Sequence, residues 1–214
     1  MLKTLFALGL GLGLATNASA QAPTEWQEGK SYFLIEPPQT TTTGDKIEVL
    51  EVFSYACPHC NEVAPMVADM KKRLPATSQF VMIPAQFGFE AWKTYARAFY
   101  TAQALGILDK SHEDMFRAIY VDKKLDIRSP TFASLAEFYS KYGVSAEDFT
   151  ATSRSFAIET RLKRNEALIK AYGTEGTPEF IVNGKYRVTG PSAGGYNNIE
   201  PLLNYLITKE SEGG

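Results

Sequence analysis

One stretch constrains the fold more than any other, because a strand pattern, a helix pattern and a second strand pattern follow one another closely. IEVLEVFSY (47–55) is rich in β-branched and aromatic residues and apolar on both faces apart from Glu48 and Glu51, which is typical of a central strand. NEVAPMVADMKKRL (61–74) places its apolar residues at helical spacing, and FVMIPA (80–85) is again a strand pattern. The sequence therefore predicts a β-α-β unit with parallel strands and a right-handed crossover.

The rest of the chain predicts a helical block followed by a hairpin and a last helix. We expect helices at about 90–105, 111–121, 130–142 and 153–172. The strand patterns EFIV and KYRV then flank Asn183-Gly184, a dipeptide typical of a two-residue hairpin turn. A short strand pattern (31–36) precedes the β-α-β unit, and an amphipathic helix pattern (197–209) ends the chain. These patterns predict an α/β fold in which a β-α-β half and a β-β-α half enclose an inserted helical domain.

The first twenty residues differ in kind from the rest. Lys3 is followed by an apolar run that ends before the small residues Ala18-Ser19-Ala20. This is the pattern of a secretory signal peptide, so we expect cleavage after Ala20 and a periplasmic location. The whole chain has 22 basic and 24 acidic residues and the signal contains one lysine, so the mature net charge is −3. That charge is too small to indicate binding to nucleic acid or to an anionic membrane.

The two cysteines of the chain, Cys57 and Cys60, stand where the predicted strand passes into the predicted helix. Pro58 suits the first helical position, and unpaired N–H groups at the helix start favour a thiolate at Cys57. Cys60 lies one turn deeper, and His59 between them can donate to the thiolate or stabilise it by its charge. The arrangement predicts an accessible attacking sulfur backed by a resolving sulfur, which is the requirement for thiol–disulfide exchange.

Two other interpretations of the cysteine pair are weaker. A structural disulfide across so short a loop would contribute only about 2 kcal/mol to stability. A zinc site needs about four ligands, and the only candidates besides the cysteines are His59 and His112, which lie far apart in sequence. We expect no metal site and interpret His112 as a surface or capping residue at a helix start.

Four aromatic residues follow the second strand of the β-α-β unit. We interpret them as core of the inserted helical domain, with the alternative that some of them line an apolar groove for peptides. They are Phe87, Phe89, Trp92 and Tyr95.

Three segments, in order, resemble DsbA-type thiol:disulfide oxidoreductases of the thioredoxin superfamily: EVFSYACPHC, the helical block and EGTPEFIVNGKY (175–186). The resemblance covers nearly all of the mature chain and implies a thioredoxin fold, with Cys57 as the nucleophilic cysteine and Cys60 as the buried resolving cysteine. An X-Pro bond is cis in only about 5% of cases, so the pattern alone favours trans. The resemblance instead implies that Pro178 is cis and packs beside Cys57, while Thr177 offers its backbone to an extended substrate.

The resemblance also assigns supporting residues. Glu51 matches a buried family glutamate that helps to move the proton of the resolving cysteine. The alternative is that the Glu51 side chain reaches solvent. Met82 stands where the best-known members have a lysine, and Thr177 where DsbA proteins often have valine. Gly190 and Pro191 border the substrate groove by the same resemblance.

Domain boundaries follow from the patterns and the resemblance together. The signal peptide occupies residues 1–20, the thioredoxin-like domain residues 21–87 and 173–214, and the inserted helical domain residues 88–172.

The function that the resemblance implies is donation of the Cys57–Cys60 disulfide to newly secreted proteins. Reoxidation would come from a DsbB-like, quinone-linked membrane oxidase, and we expect a monomer with no dissociable cofactor. One alternative is a disulfide reductase or isomerase, but the roughly 26 mature residues before the first strong strand are too few for the N-terminal dimerisation domain of such isomerases. The other is a peptide-binding chaperone with a structural disulfide.

Overall fold

The computed structural model describes residues 26–213, so the signal-peptide prediction lies outside the described residues. One five-stranded sheet, in the order β1-β5-β4-β2-β3, forms its centre. The strands are β1 (Phe33–Leu34), β2 (Ile47–Phe53), β3 (Ser78–Pro84), β4 (Glu179–Val182) and β5 (Tyr186–Thr189). β2 pairs with β3 in parallel and with β4 antiparallel, so the predicted β-α-β unit and α/β fold class are confirmed. The early strand is shorter than predicted.

Seven α-helices surround the sheet in the described part of the chain. They are α1 (Pro58–Arg73), α2 (Glu90–Ala104), α3 (Leu108–Tyr120), α4 (Phe132–Ser140), α5 (Ala146–Ser153), α6 (Phe156–Ala171) and α7 (Ile199–Glu212). The predicted helix over 153–172 corresponds to α6, and α5 was not predicted as a helix of its own. The two helices are separate because Ser145 and Ser155 each cap a helix, accepting a hydrogen bond from the backbone N–H three residues ahead.

The predicted hairpin joins β4 to β5. Asn183 and Gly184 both have positive φ, at 50° and 65°, as a two-residue turn with a right-handed strand twist requires. The two strands that this turn joins follow the helices α2 to α6, which all lie between β3 and β4 in sequence. The division of the chain into two domains remains a prediction.

The cysteines lie at a junction between the sheet and the helical block. The end of β2 and the start of α1 contribute Phe53, Tyr55, Cys57 and Cys60 to one hydrophobic cluster, which is completed mainly by side chains of α2, α3 and α4. Cys57 and Cys60 therefore pack against residues of both the sheet and the helical block.

The aromatic residues predicted as core do not behave alike. Tyr95 is fully buried, and Trp92 packs partly buried against two of the hydrophobic clusters. Phe89 is 60% exposed, so its assignment to the core was wrong. It precedes α2 as the N-cap residue and therefore lies outside the packed face of that helix.

Candidate active site

Cys57 is placed by the strand-to-helix junction that the sequence predicts. It is the N-cap residue of α1, with Pro58 at the start of the helix, and its sulfur accepts a hydrogen bond from the Cys60 N–H at 3.4 Å. Both cysteines are free thiols, and they are 5% and 1% exposed, respectively. The helix start thus aims N–H groups at the first sulfur, and Cys60 is the more buried of the two.

The two thiols differ strongly in acidity. The pKa of Cys57 is lowered to about 6, first by a hydrogen bond from the Cys60 side chain and then by Thr177 and the N–H groups of Cys60 and His59, while burial opposes the shift. Burial, together with the neighbouring Cys57 and Glu51, raises the pKa of Cys60 well above its usual value. The pair therefore combines a sulfur that ionises near neutral pH with one that holds its proton.

The His59 imidazole does not donate to Cys57, which was one of the two roles that the sequence analysis considered. Its side chain is 65% exposed and its Nδ1 lies 3.2 Å from Glu62 Oε2, one turn further along α1. The expected donation from the ring to Cys57 is therefore corrected, because this position of the helix faces solvent. What His59 contributes to the low Cys57 pKa is its backbone N–H.

The Thr177–Pro178 segment meets the cysteines from the opposite side. The peptide bond between these residues is cis, as the resemblance implies. The Thr177 carbonyl oxygen lies 3.2 Å from Cys57 Sγ and accepts the hydrogen bond of the protonated thiol, although 120 residues separate the two in sequence. The Thr177 hydroxyl is buried and has no hydrogen-bond partner within residues 26–213, so it is free to donate to the sulfur once the thiol ionises.

Replacing Thr177 by valine should therefore raise the Cys57 pKa by up to about one unit, since a donor to the thiolate is lost. The measurement is the ultraviolet absorbance of the thiolate as a function of pH. Thr174→Val is the matched control, because the Thr174 hydroxyl is also buried without a partner in residues 26–213 but is not among the groups that shift the Cys57 pKa. An unchanged Cys57 pKa in the Thr177 variant would show that the hydroxyl does not serve the thiolate.

Glu51 is buried in the middle of β2, where Met82 of β3 is its register partner. Burial raises its pKa to about 8, with Lys71 opposing the shift and Cys57 adding to it. Glu51 and Cys60 line one cleft of about 390 Å³ between α1 and α3. A carboxyl group that stays protonated near neutral pH therefore lies in the same cleft as the Cys60 sulfur, and the alternative in which Glu51 reaches solvent was wrong.

His112 was misjudged as a surface or capping residue. It lies in the second turn of α3, is half-buried, and lines the cleft that holds Glu51 and Cys60. Its Nδ1 is 2.8 Å from the Tyr55 hydroxyl, and rings of Phe53 and Phe116 pack around it. Burial lowers its pKa to about 3, so the imidazole is neutral at physiological pH. No local pattern marks this residue, because its partner Tyr55 is 57 positions away.

The loop after β5 contains Gly190 and Pro191, which the resemblance assigns to the border of the substrate groove. A Cβ at Gly190 would come within 2.6 Å of the Tyr196 ring, so the close approach of these residues requires glycine. Burial raises the pKa of Tyr196, and the charges of Cys60 and Cys57 add to the shift. Pro191 is exposed on the same loop. A role of Gly190 and Pro191 in substrate binding remains a prediction.

Two features are absent from residues 26–213. No helix in this range has the length and apolar character needed to cross a membrane. No group of three or more His, Cys, Asp or Glu side chains in it could hold a metal ion.

Comparison with known proteins gives a consistent result. A family model described as the DSBA-like thioredoxin domain matches residues 48–202. The thiol:disulfide interchange protein DsbA of Pseudomonas aeruginosa is 34% identical over 210 residues, which cover 98% of this chain and 95% of the relative. The protein of that name from Azotobacter vinelandii is 33% identical, with coverage of 97% and 92%. Among solved structures, Pseudomonas aeruginosa DsbA superposes with a TM-score of 0.81 at 35% identity, covering 88% of this chain and 96% of that one.

Proposed function

The chain belongs to the family with the DSBA-like thioredoxin domain and is a thiol:disulfide oxidoreductase, and we propose that it donates its Cys57–Cys60 disulfide to newly secreted proteins through a mixed disulfide at Cys57. The observation that carries the proposal is the contrast between the two thiols, with a pKa of about 6 at Cys57 and a raised pKa at Cys60. A stable Cys57 thiolate favours the reduced form, so the oxidised form readily passes its disulfide on.

The reaction begins when a substrate thiolate attacks the Cys57 sulfur of the oxidised protein. The bond between Cys57 and Cys60 breaks, a substrate–Cys57 disulfide forms, and Cys60 leaves as a thiolate. Glu51, which is protonated below about pH 8, can supply the proton that the buried Cys60 needs. A second substrate thiolate then attacks the substrate sulfur, Cys57 leaves as a stabilised thiolate, and two electrons have passed from the substrate to the protein.

Substrate binding is proposed at the Thr177–Pro178 segment. The Thr177 carbonyl already accepts a hydrogen bond from Cys57, so a chain laid along this segment in extended form would bring its own thiol next to the reactive sulfur. The loop with Gly190 and Pro191 is proposed as the opposite border. No dissociable cofactor takes part, because the disulfide itself carries the electrons.

Redox equilibrium with glutathione tests the proposal. The oxidised protein should be reduced by glutathione far more readily than thioredoxin, whose potential is about −270 mV. The equilibrium is read from the fraction of reduced protein at a series of glutathione ratios. A potential as low as that of thioredoxin would favour the alternative of a disulfide reductase or isomerase.

The location and partners follow from the proposed role. We propose cleavage after Ala20 and a periplasmic, monomeric protein. N-terminal sequencing of the mature protein should begin at Gln21, and sedimentation should give the mass of a monomer.

Reoxidation by a DsbB-like membrane oxidase predicts that membranes containing quinone restore the disulfide and that quinone-stripped membranes do not.

A further inference from the structure

Glu179 is a buried carboxylate next to the Thr177–Pro178 segment that the reaction above does not use. It directly follows Pro178, begins β4 and is 5% exposed. A buried carboxylate is costly unless its oxygens are fully hydrogen-bonded, so its partners indicate what it does.

The partners of Glu179 divide between its two oxygens. Oε1 accepts the backbone N–H groups of Glu175 and Gly176 at 3.3 and 3.1 Å. Oε2 accepts from Arg187 Nη1 at 3.2 Å. An ionised carboxylate can accept all three bonds, whereas a glutamine would have to turn an NH₂ group towards the backbone N–H groups or towards the guanidinium.

Arg187 is itself held from the other side. It lies on β5 opposite Phe33 of the edge strand β1, and its guanidinium stacks over the Phe33 ring at 5.2 Å. Glu179 is therefore braced across three neighbouring strands, from β1 through β5 to β4.

The segment that Glu179 holds is the one that approaches the reactive sulfur. Glu175 and Gly176 immediately precede Thr177, whose carbonyl lies 3.2 Å from Cys57 Sγ. We propose that Glu179, braced by Arg187, is a positioning residue that fixes the 175–177 loop, so that Thr177 faces both Cys57 and the substrate chain. This inference rests on the proposed function and extends it to residues outside the cysteine motif.

Glu179→Gln tests the inference in the full mature protein, with a reduced unfolded dithiol peptide as substrate. We expect kcat/KM for the peptide to fall about tenfold, mainly through a higher KM, because a displaced loop misplaces the substrate. The loss with dithiothreitol, which is too small to use the loop, should be clearly smaller. Amide hydrogen exchange at Glu175 and Gly176 should accelerate, since the glutamine NH₂ group disrupts either these two bonds or the bond to Arg187 that holds the side chain in place.

Glu48→Gln is the matched control. Glu48 is likewise a buried carboxylate that accepts a backbone N–H, from Thr42 at 2.8 Å, but it lies outside the 175–177 loop. The Glu48→Gln variant should be less stable than the wild type, but its KM for the peptide and its amide hydrogen exchange at Glu175 and Gly176 should be unchanged. If Glu179→Gln behaves in the same way, Glu179 is only structural and the inference is overturned.

Arg187 provides a second route should the Glu179 variant fail to fold. Arg187→Met should also raise the KM for the peptide. Arg187→Lys retains a positive charge for Glu179, so its KM should lie between those of Arg187→Met and the wild type. Equal KM values for these two variants and the wild type would overturn the inference. Failure of the wild-type protein to oxidise the peptide would instead contradict the proposed function, so the two failures are distinguishable.

Discussion

Cys57→Ser is expected to reduce disulfide donation to the uncatalysed background, a loss of at least about a thousandfold, while the protein stays folded. Serine oxygen cannot form the mixed disulfide, and Cys60 is the only other cysteine of the chain. The fold should survive because Cys57 is the N-cap of α1, a position that serine serves well. The measurement is oxidation of a reduced dithiol peptide by stoichiometric protein, followed by mass spectrometry, with circular dichroism to check the helices.

Cys60→Ala is the paired control for this result. It leaves the attacking sulfur in place but removes the resolving one, so a disulfide-activated peptide should accumulate as a stable adduct on Cys57. The Cys57→Ser variant should form no such adduct. If Cys57→Ser kept full activity on a folding substrate, the protein would act as a peptide-binding chaperone, and the exchange mechanism would be wrong.

Local signals explain which parts of the site were predictable. The position of Cys57 followed from a strand that runs into a helix with proline at its start, and the β4–β5 turn followed from Asn183-Gly184. Both signals depend only on residues that are neighbours in sequence. The burial of Glu51 was implied by the resemblance, and the local pattern alone left open that its side chain reaches solvent.

The errors concern contacts between distant segments or the direction of a single side chain. His112 looked like a polar residue near a helix start, and only the packing of α3 against the end of β2 brings it to Tyr55. His59 lies in the right motif, but the helix turns its ring to solvent and towards Glu62. Glu179 was not singled out because its importance depends on Arg187, which is reached through the pairing of β4 with β5.

Glu51 gives the second large expected effect, which is on stability. Its pKa is about 8 in the folded, reduced protein, against 4.5 for an ordinary glutamate. Below about pH 4.5 the carboxyl is protonated in both the folded and the unfolded state, so it adds no penalty. Between pH 4.5 and pH 8 the unfolded state ionises while the folded state does not, so the free energy of unfolding falls as pH rises. Each pKa unit corresponds to about 1.4 kcal/mol, so the whole penalty at pH 8 is a few kcal/mol.

Glu51→Gln cannot ionise and should therefore escape this penalty. We expect the reduced variant to be more stable than the wild type by a few kcal/mol at pH 8, with the difference shrinking steadily towards pH 4.5. Urea unfolding under reducing conditions at several pH values measures it. Glu113→Gln, which removes a charge from an exposed residue lining the same cleft, should change stability by less than about 1 kcal/mol at either pH. A stability difference for Glu51→Gln that does not change with pH would show that Glu51 is ionised in the fold, and it could not then supply the proton to Cys60.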